Sequence, residues 1–305
     1  MTTTPRRVLV TGRTGQVGRD LARAAWPAGL EPVVIGRETL DLTDPEAAEA
    51  AILGGDIALV VNTAAYTAVD AAEENEDLAT RVNGDGPRAL ARACAAAGIP
   101  LIHLSTDYVF DGAKDGPYVE DDPVRPLGAY GRSKLAGEEA VRAECARHVI
   151  LRTAWVFSAH GKNFVKTMLR LAAEKPALRV VADQHGCPTA AHDIARMVVE
   201  IARQLVLEGR EGAWGTYHLV GAGPTTWHGF ASAIVAAQSA RTGKTPPVHP
   251  IATADYPTPA RRPANSVLCT DKVRSTFGVT PRSWTDTLAE VLADVLVDAP
   301  VEPGP

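Results

Sequence analysis

Tyr130 and Lys134 stand four residues apart in Tyr130-Gly131-Arg132-Ser133-Lys134. On a helix this spacing sends both side chains from one face, about one turn from each other. An ammonium close to a phenol favours the phenolate. The pair therefore predicts a Tyr130 pKa below its usual value near ~10, and a proton that can be given and recovered near neutrality. Thr106 adds a hydroxyl able to hydrogen-bond a carbonyl and hold it in place, with Asp107 beside it. These groups make up the acid half of a carbonyl reduction.

The hydride half is suggested by Thr11-Gly12-Arg13-Thr14-Gly15-Gln16-Val17-Gly18, whose glycines fall three and three apart. Gly12 suits a tight turn, Gly15 leaves a pyrophosphate room to reach backbone N–H groups, and Gly18 lets helix and strand pack closely. Gln16 and Val17 share that turn. Further along, Gly36-Arg37 stands where an NAD site usually carries Asp or Glu. A guanidinium there suits a 2′-phosphate and predicts NADPH, with NADH left open because Glu38 competes for the same space. Asp41 and Leu42 follow as candidate adenine contacts.

The elements that must position these groups alternate. Arg7–Thr11 reads as a strand, Val17–Trp26 as a helix and Val33–Ile35 as a strand. Asp44 caps a helix running from Pro45 to Leu53, and Ala58–Asn62 is the next strand. A helix over Leu78–Ala97 closes at Gly98, Pro100–Ser105 is a strand, and Phe110–Leu127 is a long Gly/Pro-broken loop. Tyr130–Cys145 is a helix and His148–Arg152 a strand. This order predicts an α/β fold: a doubly wound, Rossmann-like parallel sheet over residues 1–158, with a smaller C-terminal α/β substrate domain over 159–305. Some segments of the latter are expected to return to the first domain. Later helices are expected near Lys162–Ala173, Asp193–Val206 and Trp227–Ser239, with Pro246–Pro263 a surface loop and Pro300–Pro305 a frayed tail.

The 305 residues are 46% hydrophobic and 22% charged, an ordinary globular composition with no membrane span. A net charge of -5 lacks the basic excess that nucleic-acid binding needs. Cys94, Cys145, Cys187 and Cys269 are scattered without C-x-x-C spacing, which predicts buried free thiols and no zinc site. The short apolar run behind Arg6 and Arg7 is no signal peptide, and a cytoplasmic location is expected.

Longer strings carry a resemblance. Gly12 to Gly18, Ser105-Thr106-Asp107-Tyr108-Val109-Phe110-Asp111-Gly112, Tyr130 to Glu138, Asp183 to Thr189, and Tyr256-Pro257-Thr258-Pro259-Ala260-Arg261-Arg262-Pro263-Ala264-Asn265-Ser266 resemble the dTDP-4-dehydrorhamnose reductases, a family of extended short-chain dehydrogenases/reductases. The resemblance implies hydride transfer from NAD(P)H to C4 of dTDP-4-dehydro-6-deoxy-L-mannose, giving dTDP-L-rhamnose with Tyr130 as general acid. By the same likeness Lys134 holds the nicotinamide ribose, Asn83 supports the proton relay, and Thr106 and Asp107 contact the sugar. Trp155, Arg261 and Asn265 meet the sugar nucleotide, and Asn62, Ala64, Ala65 and Tyr66 line the cofactor. A homodimer is left open. Ala191-His192-Asp193 is too weak an oxygen set for a bridging metal, so none is expected. Two other readings stay open: a reductase of another dTDP-4-keto-6-deoxy sugar, and a non-catalytic regulatory subunit like the methionine adenosyltransferase beta subunit. A dehydratase would need an acid after Asp107, where this chain has Tyr108.

Overall fold

The computed structural model describes residues 4–297. The chain runs β1 (Arg6–Thr11), α1 (Gln16–Arg23), β2 (Leu30–Ile35), α2 (Pro45–Leu53), β3 (Ile57–Asn62), α3 (Val69–Ala72), α4 (Glu76–Thr80), α5 (Gly86–Ala97), β4 (Leu101–Thr106), α6 (Ala129–Glu144) and β5 (His148–Thr153). There follow β6 (Val156–Phe157), α7 (Phe164–Glu174), β7 (Leu178–Val181), β8 (His185–Gly186), β9 (Thr189–Ala190), α8 (Ala191–Val206) and β10 (Gly215–His218). The last elements are β11 (Thr225–Thr226), α9 (Trp227–Thr242), β12 (Val248–Ile251), β13 (Asn265–Ser266), α10 (Asp271–Phe277) and α11 (Trp284–Val297).

Six strands form the main sheet in the order β2-β1-β3-β4-β5-β10, all neighbours parallel. Their apolar runs are continuous because both faces are covered. Alternate residues go opposite ways: Val8, Val10, Leu59, Val61, Ile102 and Leu104 pack under α1 and α8. Leu9, Val60, Leu101 and Ile150 pack under α2 and α5 with Leu90 and Cys94. Each fully buried aliphatic side chain stabilises the fold by roughly 1.5–3 kcal/mol relative to exposure. Between β1 and β3 the chain order reverses, so the crevice at their carboxyl ends is where an open α/β sheet takes a ligand.

A second core joins α7, α9 and α11 to β7 through Phe157, Val165, Leu169, Phe230, Ile234 and Leu288. The later half of the chain also contributes α8 to the first core and β10 to the edge of the main sheet.

The structure departs from the sequence reading in three places. Leu78–Ala97 is not one helix: α4 and α5 are separated by a π-helical turn over Arg81–Asp85. The Pro246–Pro263 stretch is not all loop, because Val248–Ile251 pairs in parallel with β7; edge strands tolerate Pro250. Of the four free thiols, Cys269 is only half-buried. Pro300–Pro305 lies outside the described residues. Among those described, no helix is long and apolar enough to cross a membrane.

Candidate active site

One cleft of about 780 Å³ gathers most of the residues singled out above, a size suited to small-molecule ligands. One wall is the glycine turn after β1 with Gln16, Val17, Arg37, Asp41 and Leu42. The floor carries Ala64, Ala65 and Tyr66 from the segment after β3. The far end holds Thr106, Asp107, Tyr130, Lys134 and Trp155.

Gly12 needs its φ of +87°, and a Cβ there would come within 2.6 Å of Thr63 Oγ1 and 2.9 Å of the Ala64 nitrogen. Gly18 does not line the cleft. It lets α1 press onto the turn, where a Cβ would meet the Gly12 carbonyl at 2.1 Å. The first turn of α1 carries no acidic side chain and its Gly15 N-cap no side-chain bond, so its N–H groups and dipole remain for an anion. The cradle fits a dinucleotide pyrophosphate. Arg37 is 76% exposed and paired with Asp41 at 2.9 Å, while Glu38 pairs with Arg13 at 2.6 Å. Glu38 is thus drawn to Arg13, a partner the sequence reading did not identify. Its signal was an arginine within the turn itself.

Tyr130 and Lys134 lie in the first turns of α6, whose helical spacing aligns them as expected. The expected acidification of the phenol is not found. Burial pushes Tyr130 up to about 12, with the hydrogen bond to Thr106 pulling the other way and the Asp107 charge adding to the rise. Lys134 is itself brought down to about 8 by burial, Glu138 opposing. Its ammonium donates to the Leu104 carbonyl at 2.7 Å rather than to the phenol. Desolvation outweighs the helical pairing that the spacing suggested.

Thr106 ends β4 and caps the short turn after it. Its Oγ1 donates to Asp107 Oδ1 at 2.9 Å and accepts from the Tyr108 N–H at 3.2 Å. Asp107 is buried and its Oδ2 has no partner; burial lifts its pKa to about 6, bonds from Ser266 and Thr106 opposing. An unpartnered carboxyl oxygen lining a cleft suits a ligand hydroxyl.

Trp155 adopts the left-handed backbone (φ 47°), strained for a non-glycine residue. Its indole stacks on Trp227 at 3.6 Å and 9°, which holds a flat wall over the cleft. Gly186 must lie against that ring, since a Cβ would come within 2.4 Å of it.

Besides Gly18, four expected site residues lie outside the cleft wall. Asn62 is fully buried behind it. Asn83, carried inward by the π-turn, accepts from the Tyr66 N–H at 2.8 Å and donates to the Tyr66 carbonyl and Ser133 Oγ, both at 3.0 Å. It ties the cleft floor to α6. Asn265 donates to the Lys114 and Gly116 carbonyls, shaping the long loop. Arg261 is exposed, whereas its neighbour Arg262 makes a bidentate pair with Asp70. Lys162 and Asn163 line the cleft without having been foreseen; the only sequence signal was Asn163 as a helix cap.

The model of the family described as "RmlD substrate binding domain" matches residues 6–297. The chain is 46% identical over 292 residues, 96% of its length and 98% of the relative's, to a dTDP-4-dehydrorhamnose reductase of Sinorhizobium fredii. It is 40% identical over 292 residues, covering 95% and 96%, to a Streptomyces antibioticus protein named "Probable dTDP-4,6-dihydroxy-2-methyloxan-3-one 4-ketoreductase". A crystal structure of a dTDP-4-dehydrorhamnose reductase from Bacillus anthracis in complex with NADP superposes with a TM-score of 0.88 at 32% identity, covering 95% of this chain and 100% of that one.

Proposed function

This chain belongs to the dTDP-4-dehydrorhamnose reductase family, and from that premise we propose that it reduces C4 of dTDP-4-dehydro-6-deoxy-L-mannose, with NADPH preferred, to give dTDP-L-rhamnose. The observation that carries the reading is a single cleft lined by both the glycine turn and the Thr106, Tyr130 and Lys134 side chains. Acid and dinucleotide cradle thus face one space.

When bound, the reduced nicotinamide supplies the hydride. The chain's residues do the rest. Tyr130 stays protonated at neutral pH because burial holds its phenol high, so the acid is loaded when the ketone arrives. As C4 gains the hydride, the Tyr130 O–H proton passes to the emerging alkoxide. The Lys134 ammonium, cationic below about 8, stabilises the tyrosinate left behind by Coulomb attraction. Asp107 Oδ2 accepts a sugar hydroxyl, and the Trp155–Trp227 stack excludes water beside the ring.

NADPH preference rests on Arg37, whose exposed guanidinium can leave Asp41 for a 2′-phosphate. We expect Arg37→Ala to weaken NADPH about tenfold and leave NADH unchanged, measured by fluorescence titration. Equal losses would place no 2′-phosphate there. Free thiols at all four cysteines suit a reducing cytoplasm.

The main test mixes the protein with enzymatically prepared dTDP-4-dehydro-6-deoxy-L-mannose and NADPH and follows nicotinamide absorbance. No oxidation with any 4-keto sugar nucleotide would remove the catalytic reading in favour of the regulatory one. The Streptomyces relative favours a second reading, reduction of another dTDP-4-keto sugar. Faster turnover of another member of a 4-keto panel would select it.

A further inference from the structure

Beneath the cleft, a polar row crosses the middle of the main sheet. Thr11 of β1 lies opposite Asn62 of β3, and Asn62 opposite His103 of β4. All three are buried, Asn62 and His103 completely. Such groups are costly to bury unless their hydrogen bonds are made. The bonds from Thr11 through Asn62 to His103 Nδ1 run with one polarity. Asn62 Oδ1 accepts from the Thr11 hydroxyl at 2.6 Å and from the Ala64 N–H at 3.2 Å. A backbone N–H can only donate, so the oxygen must face Ala64 and the Asn62 amide nitrogen must face His103. That nitrogen also can only donate, and it lies 3.0 Å from His103 Nδ1. Nδ1 is therefore bare and the ring proton sits on Nε2, which has no partner.

The row meets the site at Ala64. The Thr63 hydroxyl donates to the Thr11 carbonyl at 2.6 Å, and the Ala64 N–H shares its bond with Thr11 Oγ1 at 3.3 Å. Thr63, Ala64, Ala65 and Tyr66 all line the cleft against the glycine turn. Nothing in the proton-transfer chemistry above uses His103. Burial, with the Lys134 and His148 charges adding to it, keeps the imidazole neutral well below its ordinary range, as an acceptor must be.

We infer that His103 is a positioning residue for the dinucleotide site: its unprotonated Nδ1 fixes the Asn62 amide and, through it, the Thr63–Tyr66 backbone against the glycine turn. The inference rests on the cleft being a dinucleotide site. His103→Leu keeps the volume and removes the acceptor. The Asn62 amide nitrogen is then left buried without a partner, and the rotation that would relieve it breaks the bond to Ala64.

The test titrates wild type, His103→Leu and His103→Gln with NADPH and with NADH, and measures kcat at saturating cofactor. The Leu variant should bind both dinucleotides about tenfold more weakly, with kcat within about twofold of wild type. His103→Gln, whose amide oxygen can replace Nδ1, should recover most of the affinity. A Leu variant with wild-type affinity, even if its melting temperature falls, overturns the inference, as does a loss confined to kcat. Imidazole nitrogen chemical shifts of the wild-type protein at neutral pH need no variant to fold: a protonated Nε2 and bare Nδ1 support the inference, and a protonated Nδ1 overturns it. A wild-type protein that binds neither dinucleotide overturns the cofactor reading beneath it.

Discussion

Tyr130 and Lys134 show how far residue types reach and where they stop. Their spacing on α6 was legible in the sequence, but their protonation was not, because desolvation depends on what covers them. A high phenol pKa still suits a reductase that needs a loaded acid. Tyr130→Phe is expected to lower kcat by a factor on the order of 10² or more while NADPH affinity stays within threefold, by stopped-flow and titration. Asp107 gives a pH signature. Its folded pKa, about 6, lies above the ordinary 3.8, so the folded state binds the extra proton in that window and loses stability as pH rises through it. Asp107→Asn should therefore raise the melting temperature at pH 7.5 by about 3 °C, the gain vanishing near pH 4 by scanning calorimetry. A gain independent of pH would mean that the carboxylate carries no such penalty.

At the level of elements, α6 is seated by a buried ion pair. Arg152 of β5 meets Glu138 through two bonds, 2.9 and 2.7 Å, and Ser105 of β4 donates to the same carboxylate at 2.6 Å. Arg152 also donates to the Glu120 carbonyl and lies over the Phe110 ring, so it pins the long loop beside the substrate end. Despite burial, the bonds from Arg152 hold Glu138 below the usual carboxylate range. Arg152→Met leaves the buried Glu138 carboxylate with only Ser105 and the part-exposed Arg142, 3.1 Å away, so it should cost about 3 kcal/mol in urea unfolding. Adding Glu138→Leu should return much of it; a double variant as unstable as the single one would show that packing, not charge, seats α6. The π-turn before α5 belongs to the same scale. Helical periodicity alone reads Leu78–Ala97 as continuous, and only packing against α6 and the Asn83 bonds explain the extra residue.

For the molecule as a whole, the cleft closes because the chain after β5 folds back on the glycine turn. Gln16 receives a bond from Asn163 at 3.0 Å and gives one to the Val156 carbonyl at 3.4 Å. Ligand binding across both parts should couple to global stability: NADPH at about 100 times its dissociation constant should raise the melting temperature by about 5 °C in wild type and in Tyr130→Phe alike. A shift in wild type alone would tie the phenol to cofactor binding.

The amino-acid order by itself determined the parallel sheet, the glycine turn and the Tyr130–Lys134 face, because these follow from local spacing of apolar, small and functional residues. Which of Arg37 and Arg13 draws Glu38, where Asn83 and Asn265 spend their hydrogen bonds, and how Trp155 meets Trp227 were decided only in three dimensions. Those outcomes depend on partners up to 151 residues away and on desolvation, and neither is a property of neighbouring letters.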